Sequence, residues 1–267
     1  MRTESFVIVA AAPRPPRWIH AMEAGTFFLF LLLYIWYFQA RYRSSWIVLV
    51  VMLIASHLVH GERPRTLGVR WEGFAECVRR YGLSILATAA AGVLIGVALD
   101  TVRPVPPGQV LAVLLGYSWW ALVQQYLLNG FFVTRLSAAF DERRQFLVAP
   151  LAGMLFAAAH VPNVVLVEVT LVTGVLAALI YRRYRNLLFL AVAHALIGTT
   201  LWLVVPDSVS HHLRVGPGMS RHRHHGARSA SMRDARSARV RHGDVGLTVR
   251  PAPPTVAAPT AGHGGCQ

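Results

Sequence analysis

The sequence predicts an all-α, polytopic transmembrane helical bundle of about seven to eight spans, followed by a disordered basic C-terminal tail. Three observations carry this. Of the 267 residues, 55% are hydrophobic and 14% charged, where a soluble domain carries roughly a quarter charged residues. The apolar residues fall in long uninterrupted runs, and only a helix satisfies its own backbone in hydrocarbon. Beyond Asp207 the chain turns to Arg, His, Gly, Ser, Ala and Pro, which bury too little apolar surface to offset chain entropy.

Taken in order, residues 1–23 form an N-terminal cytoplasmic segment. Its apolar stretch, 6–12, is too short and wrongly flanked for a signal peptide. The bundle occupies 24–206. Its first runs, 25–38 and 46–58, are parted by Arg41-Tyr42-Arg43. Residues 61–80 are polar, and the spacing of Trp71, Phe74 and Val78 predicts an interfacial amphipathic helix. Five runs follow at 83–99, 110–136, 146–161, 164–181 and 187–205, with Pro104, Pro106 and Pro107 marking the gap before the second of them. Residues 207–267 are the tail.

The formal charge is +14, and all 26 basic residues are Arg, a bias that points to a GC-rich bacterial genome. These arginines flank apolar runs or lie in the tail, so the expected partner is the lipid bilayer and not nucleic acid. Their alternation between loops places the protein in the cell membrane with its N-terminus cytoplasmic. Seven spans then put the basic tail outside, against the same rule. Cys77 and Cys266 imply neither a disulfide framework nor a thiolate metal site. The tail histidines His211, His212, His222, His224 and His225 read as solvated sequence. No cofactor and no metal are expected.

Polar groups at membrane depth are costly, and tend to face a bundle interior. Gln124 and Gln125 lie inside the run 110–136, with Asn129 one turn after Gln125 on the same face. His160 closes Phe156-Ala157-Ala158-Ala159-His160, and Val161-Pro162-Asn163 then breaks the helix. His194 sits among small residues in the last run. Glu168 is the one acid inside an apolar run, about a turn past Pro162. Taken singly, each such group serves to join helices by hydrogen bonds.

Their order carries more. A doubled amide with Asn-Gly four and five residues on, then Phe-x-x-x-His, then a histidine in the last span resembles the CPBP family of intramembrane endopeptidases. That family includes the CAAX prenyl proteases and the bacteriocin-processing and immunity (Abi) proteins. The resemblance covers residues 110–203 and is sharpened by His160-Val161-Pro162-Asn163, Gly174, Tyr181-Arg182-Arg183 and Asn186-Leu187-Leu188.

The family pattern is Glu-Glu-x-x-x-Arg with a following Gly, then Phe-x-x-x-His, then His-x-x-x-Asn. Here Gln124 and Gln125 stand at the glutamate positions, Asn129 at the arginine, Gly130 at the glycine, and Gly198 at the asparagine. The resemblance implies peptide-bond hydrolysis of a membrane-associated or lipidated substrate, with the first glutamate activating water. An amide cannot be that base. Losing the carboxylate and the arginine together leaves no charge unpaired. His160 and His194 remain as bases, and Glu168 is a candidate substitute acid or, with both histidines, a candidate zinc ligand. Two other readings stand beside the peptidase: a non-catalytic pseudoprotease acting in peptide binding, bacteriocin immunity or protein sorting, and a transporter or channel component.

Overall fold

A computed structural model describes residues 15–217 of the chain. The first part of the N-terminal segment, most of the tail, His222, His224, His225 and Cys266 lie outside the described residues. Among the described residues there is no strand, and every apolar run predicted above has its helix. These are α1 (Arg17–Arg41), α2 (Trp46–Val59), α3 (Phe74–Ala98), α4 (Pro107–Ala139), α5 (Val148–Ala158), α6 (Val164–Tyr184) and α7 (Leu187–Val204).

Five of them, α1, α3, α4, α6 and α7, are long and apolar enough to cross a membrane. At 14 and 11 residues, α2 and α5 are short, and α5 is only about 16 Å long. The predicted run 146–161 shortens because a 3-10 turn, Glu142–Leu147, opens it and the helix stops at Ala158 before Pro162. Large apolar side chains project outward along the helices, among them Leu83, Leu94, Leu115 and Trp119. On a water-soluble domain such a surface would be an association hazard; on a spanning helix it faces lipid. This is a membrane protein.

Local chemistry sets the helix starts. Pro107 occupies the first turn of α4, where its missing N–H costs nothing. Asn163 and Asn186 cap α6 and α7, their side-chain oxygens accepting from the Leu166 and Phe189 amides at 3.3 and 2.8 Å. Both amides also reach across the fold. Asn186 Nδ2 donates to the carbonyls of Arg70 and Glu72, and Asn163 Nδ2 to those of Ser210 and Arg214.

These cross-links explain two departures from the sequence reading. Residues 61–73 form turns, not an interfacial helix, and the helix begins only at Phe74. Pro64, Gly68 and Gly73 interrupt it, and the segment docks on the α6–α7 junction. Leu187 N–H donates to Gly68 O at 2.8 Å, and the Tyr181 hydroxyl to Leu67 O at 2.8 Å. At the other end, residues 207–217, assigned to the tail, are folded. Asp207–Ser210 is a helical turn whose Asp207 pairs with Arg103 at 2.5 and 2.8 Å, and Gly216 N–H donates to Val161 O. The Arg and His around them mask the apolar anchors Leu213 and Val215.

In the interior α5 lies on α6, and α7 packs between α3 and α4. Glycines let α5 and α6 approach: a Cβ on Gly153 would sit 2.5 Å from Val175 Cγ2 and 2.8 Å from Leu171 O. That contact fixes the last turn of α5, with Phe156 and His160, against α6.

A charged cluster ties α1, α2 and α4 together. Arg135, 1% exposed, donates from Nη1 and Nη2 to the two Glu62 oxygens at 2.8 and 2.7 Å and from Nη2 to Ser56 Oγ at 2.8 Å. Its Nε lies 2.8 Å from Glu23 Oε2, off hydrogen-bond geometry. Burial pushes the Glu62 carboxyl up, but the hydrogen bonds of His57 and Arg135 and the guanidinium charge outweigh it and hold it down at about 2. Glu168 is therefore not the only acid within a spanning helix, because α1 begins early enough to include Glu23.

Candidate active site

The site is assembled from the middle of α4, the end of α5, one face of α6 and the middle of α7. In α4 the α-helical turns end at Gln125 and a wider, π-helical stretch runs over Tyr126–Val133. Such bulges re-aim side chains and recur at functional sites. This one begins between Gln125 and Asn129 and leaves both side chains pointing inward, 4% and 0% exposed.

A chain of hydrogen bonds follows. Asn129 Nδ2 donates to Gln125 Oε1 at 2.6 Å, Gln125 Nε2 lies 3.0 Å from His194 Nδ1, and His194 Nε2 lies 3.2 Å from the Tyr117 hydroxyl. Because the Gln125 oxygen is taken by Asn129, its N–H donates to His194 Nδ1, which must carry the lone pair. Nε2 then holds the proton and faces Tyr117. Both nitrogens of His194 are engaged, and the ring is neutral.

His160 is held differently. Its Nδ1 lies 2.7 Å from Phe156 O, and a carbonyl only accepts, so Nδ1 carries the proton and Nε2 the lone pair. The Phe156 ring stands edge-on to both histidines, with centroids 4.8 Å from His160 and 5.8 Å from His194. One aromatic side chain therefore spaces them.

Gln124, Gln125, His160, His194 and Gly198 all line one cavity of about 630 Å³, within the range of small-ligand sites. Its walls are apolar or neutral polar: Trp120, Leu166, Thr170, Ile180 and Phe189 contribute, and among the described residues no carboxylate or guanidinium does. Leu213 and Val215 close part of it. Asn129 stands behind Gln125 and does not line the cavity. Glu168 is exposed, one residue before the lining Val169. It joins neither histidine, so the substitute-acid and zinc readings find no geometry to support them. Gln124 Oε1 is buried without a partner among the described residues.

Tyr117 is the residue the sequence reading misses. A Cβ on Gly198 would lie 2.3 Å from Tyr117 Cε1, so the glycine makes room for the phenol ring. The signal was available: 117 and 124 are seven residues apart and share a helix face. Arg135 is missed as well, hidden at the end of a long apolar run.

Residues 106–200 match the family model described as Type II CAAX prenyl endopeptidase Rce1-like. The match agrees with the region carrying the motifs to within a few residues. Searches of the curated proteins and of the solved structures found no match.

Proposed function

We propose that this chain, whose bundle core at residues 106–200 belongs to the type II CAAX prenyl endopeptidase-like family, uses the family cavity to hold a membrane-associated peptide without hydrolysing it efficiently. The observation that carries this is the reversed polarity at His194. A carboxylate at position 125 would accept a hydrogen bond from Nδ1 and leave Nε2 free to take a proton, whereas Gln125 donates to Nδ1 and so leaves the proton on Nε2. With no carboxylate on the cavity wall among the described residues, no acidic side chain there replaces the missing glutamate.

Binding remains well served. The walls are apolar, and the unpartnered Gln124 Oε1 is an acceptor suited to a backbone N–H. A photoreactive apolar peptide, tethered to a lipid and incubated with the protein in bilayers, should crosslink to α4 and α6 near Gln124 and Thr170. Replacing Thr170 with Trp should abolish that label while leaving the melting temperature within a few degrees. Labelling spread evenly over the outer faces would overturn the reading.

A second reading rests on His160. Its Nε2 lone pair is not committed to another side chain, so slow imidazole-assisted hydrolysis is the catalytic alternative. It predicts weak cleavage abolished by His160→Gln.

A further inference from the structure

A separate cluster lies at the end of α1 where the described residues begin. His20 and Glu23 are three residues apart in α1 and share a face. His60, capping the C-terminus of α2, meets them: its Nε2 is 3.0 Å from Glu23 Oε2, and its ring centroid is 4.8 Å from that of His20. One ligand atom from each of the three lies within 4.8 Å of the others. None of them lines the cavity described above.

We propose that His20, Glu23 and His60 bind a divalent transition ion of the zinc class. Two imidazoles and a carboxylate match the preference of such ions, with water as a fourth ligand. A tetrahedral ion would draw the donors to roughly 3.4 Å of one another, which the His60–Glu23 pair already meets.

Two further observations point to a cation. His20 is 9% exposed and its Nδ1 has no partner among the described residues, a donor atom whose burial costs free energy until something occupies it. The charges are also unequal. Among the described residues Arg135 is the one guanidinium beside both carboxylates, and its well-aligned hydrogen bonds go to Glu62 and Ser56. Glu23 receives the off-axis Nε contact and the His60 contact, and no aligned guanidinium hydrogen bond among the described residues. With the ion bound, the Glu23 carboxylate ligates while it remains beside Arg135, whose Nε contacts the same Oε2 that His60 approaches, an outer-shell arrangement that orients a metal carboxylate. The ion clamps the start of α1 to the end of α2, away from the peptide cavity.

The test is cobalt titration of the full chain in detergent after chelator stripping, read by visible d–d absorption. The intense bands of tetrahedral Co(II) separate this site from loose binding by the tail histidines. About one equivalent should develop the bands, zinc should bleach them, and His222→Ala, His224→Ala, His225→Ala together should leave them unchanged. His60→Ala should weaken binding by about 100-fold or more. Glu23→Gln, which keeps the side-chain shape, should do the same and gives the answer if the alanine variant fails to fold. Absence of tetrahedral bands in the unmodified chain, or their persistence in both variants, overturns the proposal and leaves an ion-pair network alone.

Discussion

At the scale of single residues, the proposed function turns on an amide at position 125, where the family pattern has a carboxylate. Gln125 keeps the shape of a glutamate but reverses one of its hydrogen bonds, and Asn129 fits because it can donate to the oxygen that remains. The third motif changes in the same concerted way, since Gly198 opens the space that Tyr117 fills. Gly198→Ala is expected to destabilise the protein by about 1–3 kcal/mol through overpacking. In a Tyr117→Ala background the same change should cost much less. Thermal melts of both single variants and the double variant check this, and additive losses would show that the two residues do not share the space.

This chemistry was only half legible in the sequence. Gln124, Gln125, His160 and His194 stand out because polar side chains in apolar runs are conspicuous, and the structure brings all four to one cavity. Tyr117 is not conspicuous, since a tyrosine in a spanning helix reads as packing. Glu168 misleads for the opposite reason: it is an acid at the right depth, but on the outward face of α6. Depth follows from counting along a helix, whereas direction depends on which neighbour the helix meets.

At the scale of elements, the ends of α1, α2 and α4 are held by Arg135 and its two acids. Arg135→Leu should cost about 1–3 kcal/mol, because it strands two partly buried carboxylates. Chemical denaturation in detergent would measure it, and a loss below 1 kcal/mol would mean the cluster is solvated. The depressed Glu62 carboxyl adds a pH dependence. Its contribution is complete above its ordinary value of 4.5 and is lost as pH falls toward about 2. Asp207, held below its ordinary range by the hydrogen bond and charge of Arg103, shifts in the same direction. Melting temperature should therefore hold from neutral pH to about 5 and fall below it, and Arg135→Leu should flatten the fall.

The helical runs themselves were legible, to within three residues except that α1 and α3 begin eight and nine residues earlier, because hydrophobic length is a property of contiguous sequence. The connections were not. The segment 61–73 has a plausible amphipathic spacing, yet its backbone is claimed by Asn186, Tyr181 and Leu187 from more than a hundred residues away. Helical periodicity carries no information about such partners. The same limit set the tail boundary too early, at Asp207 instead of beyond the cavity-lining Val215.

At the scale of the whole molecule, the boundary can be tested by truncation. Ending the chain after residue 217 should leave membrane insertion and melting temperature unchanged. Ending it after residue 206 removes the partner of Arg103 and the cavity residues Leu213 and Val215, and should lower the melting temperature by several degrees. Equal melts would place the functional boundary where composition alone put it.

On the proposed reading, a bundle that matches the peptidase family over residues 106–200 keeps the cavity and lacks the base. The most direct measurement is single-turnover cleavage of a membrane-tethered, lipid-modified peptide by the unmodified chain. It should run beside a variant carrying Gln124→Glu, Gln125→Glu and Asn129→Arg, with Gly198→Asn and Tyr117→Ala to restore the third motif without a clash. The predicted result is binding by both and a rate at least about 100-fold higher in the substituted chain, the range expected for a positioned general base. Equal cleavage by the unmodified chain, abolished by His160→Gln, would contradict the account.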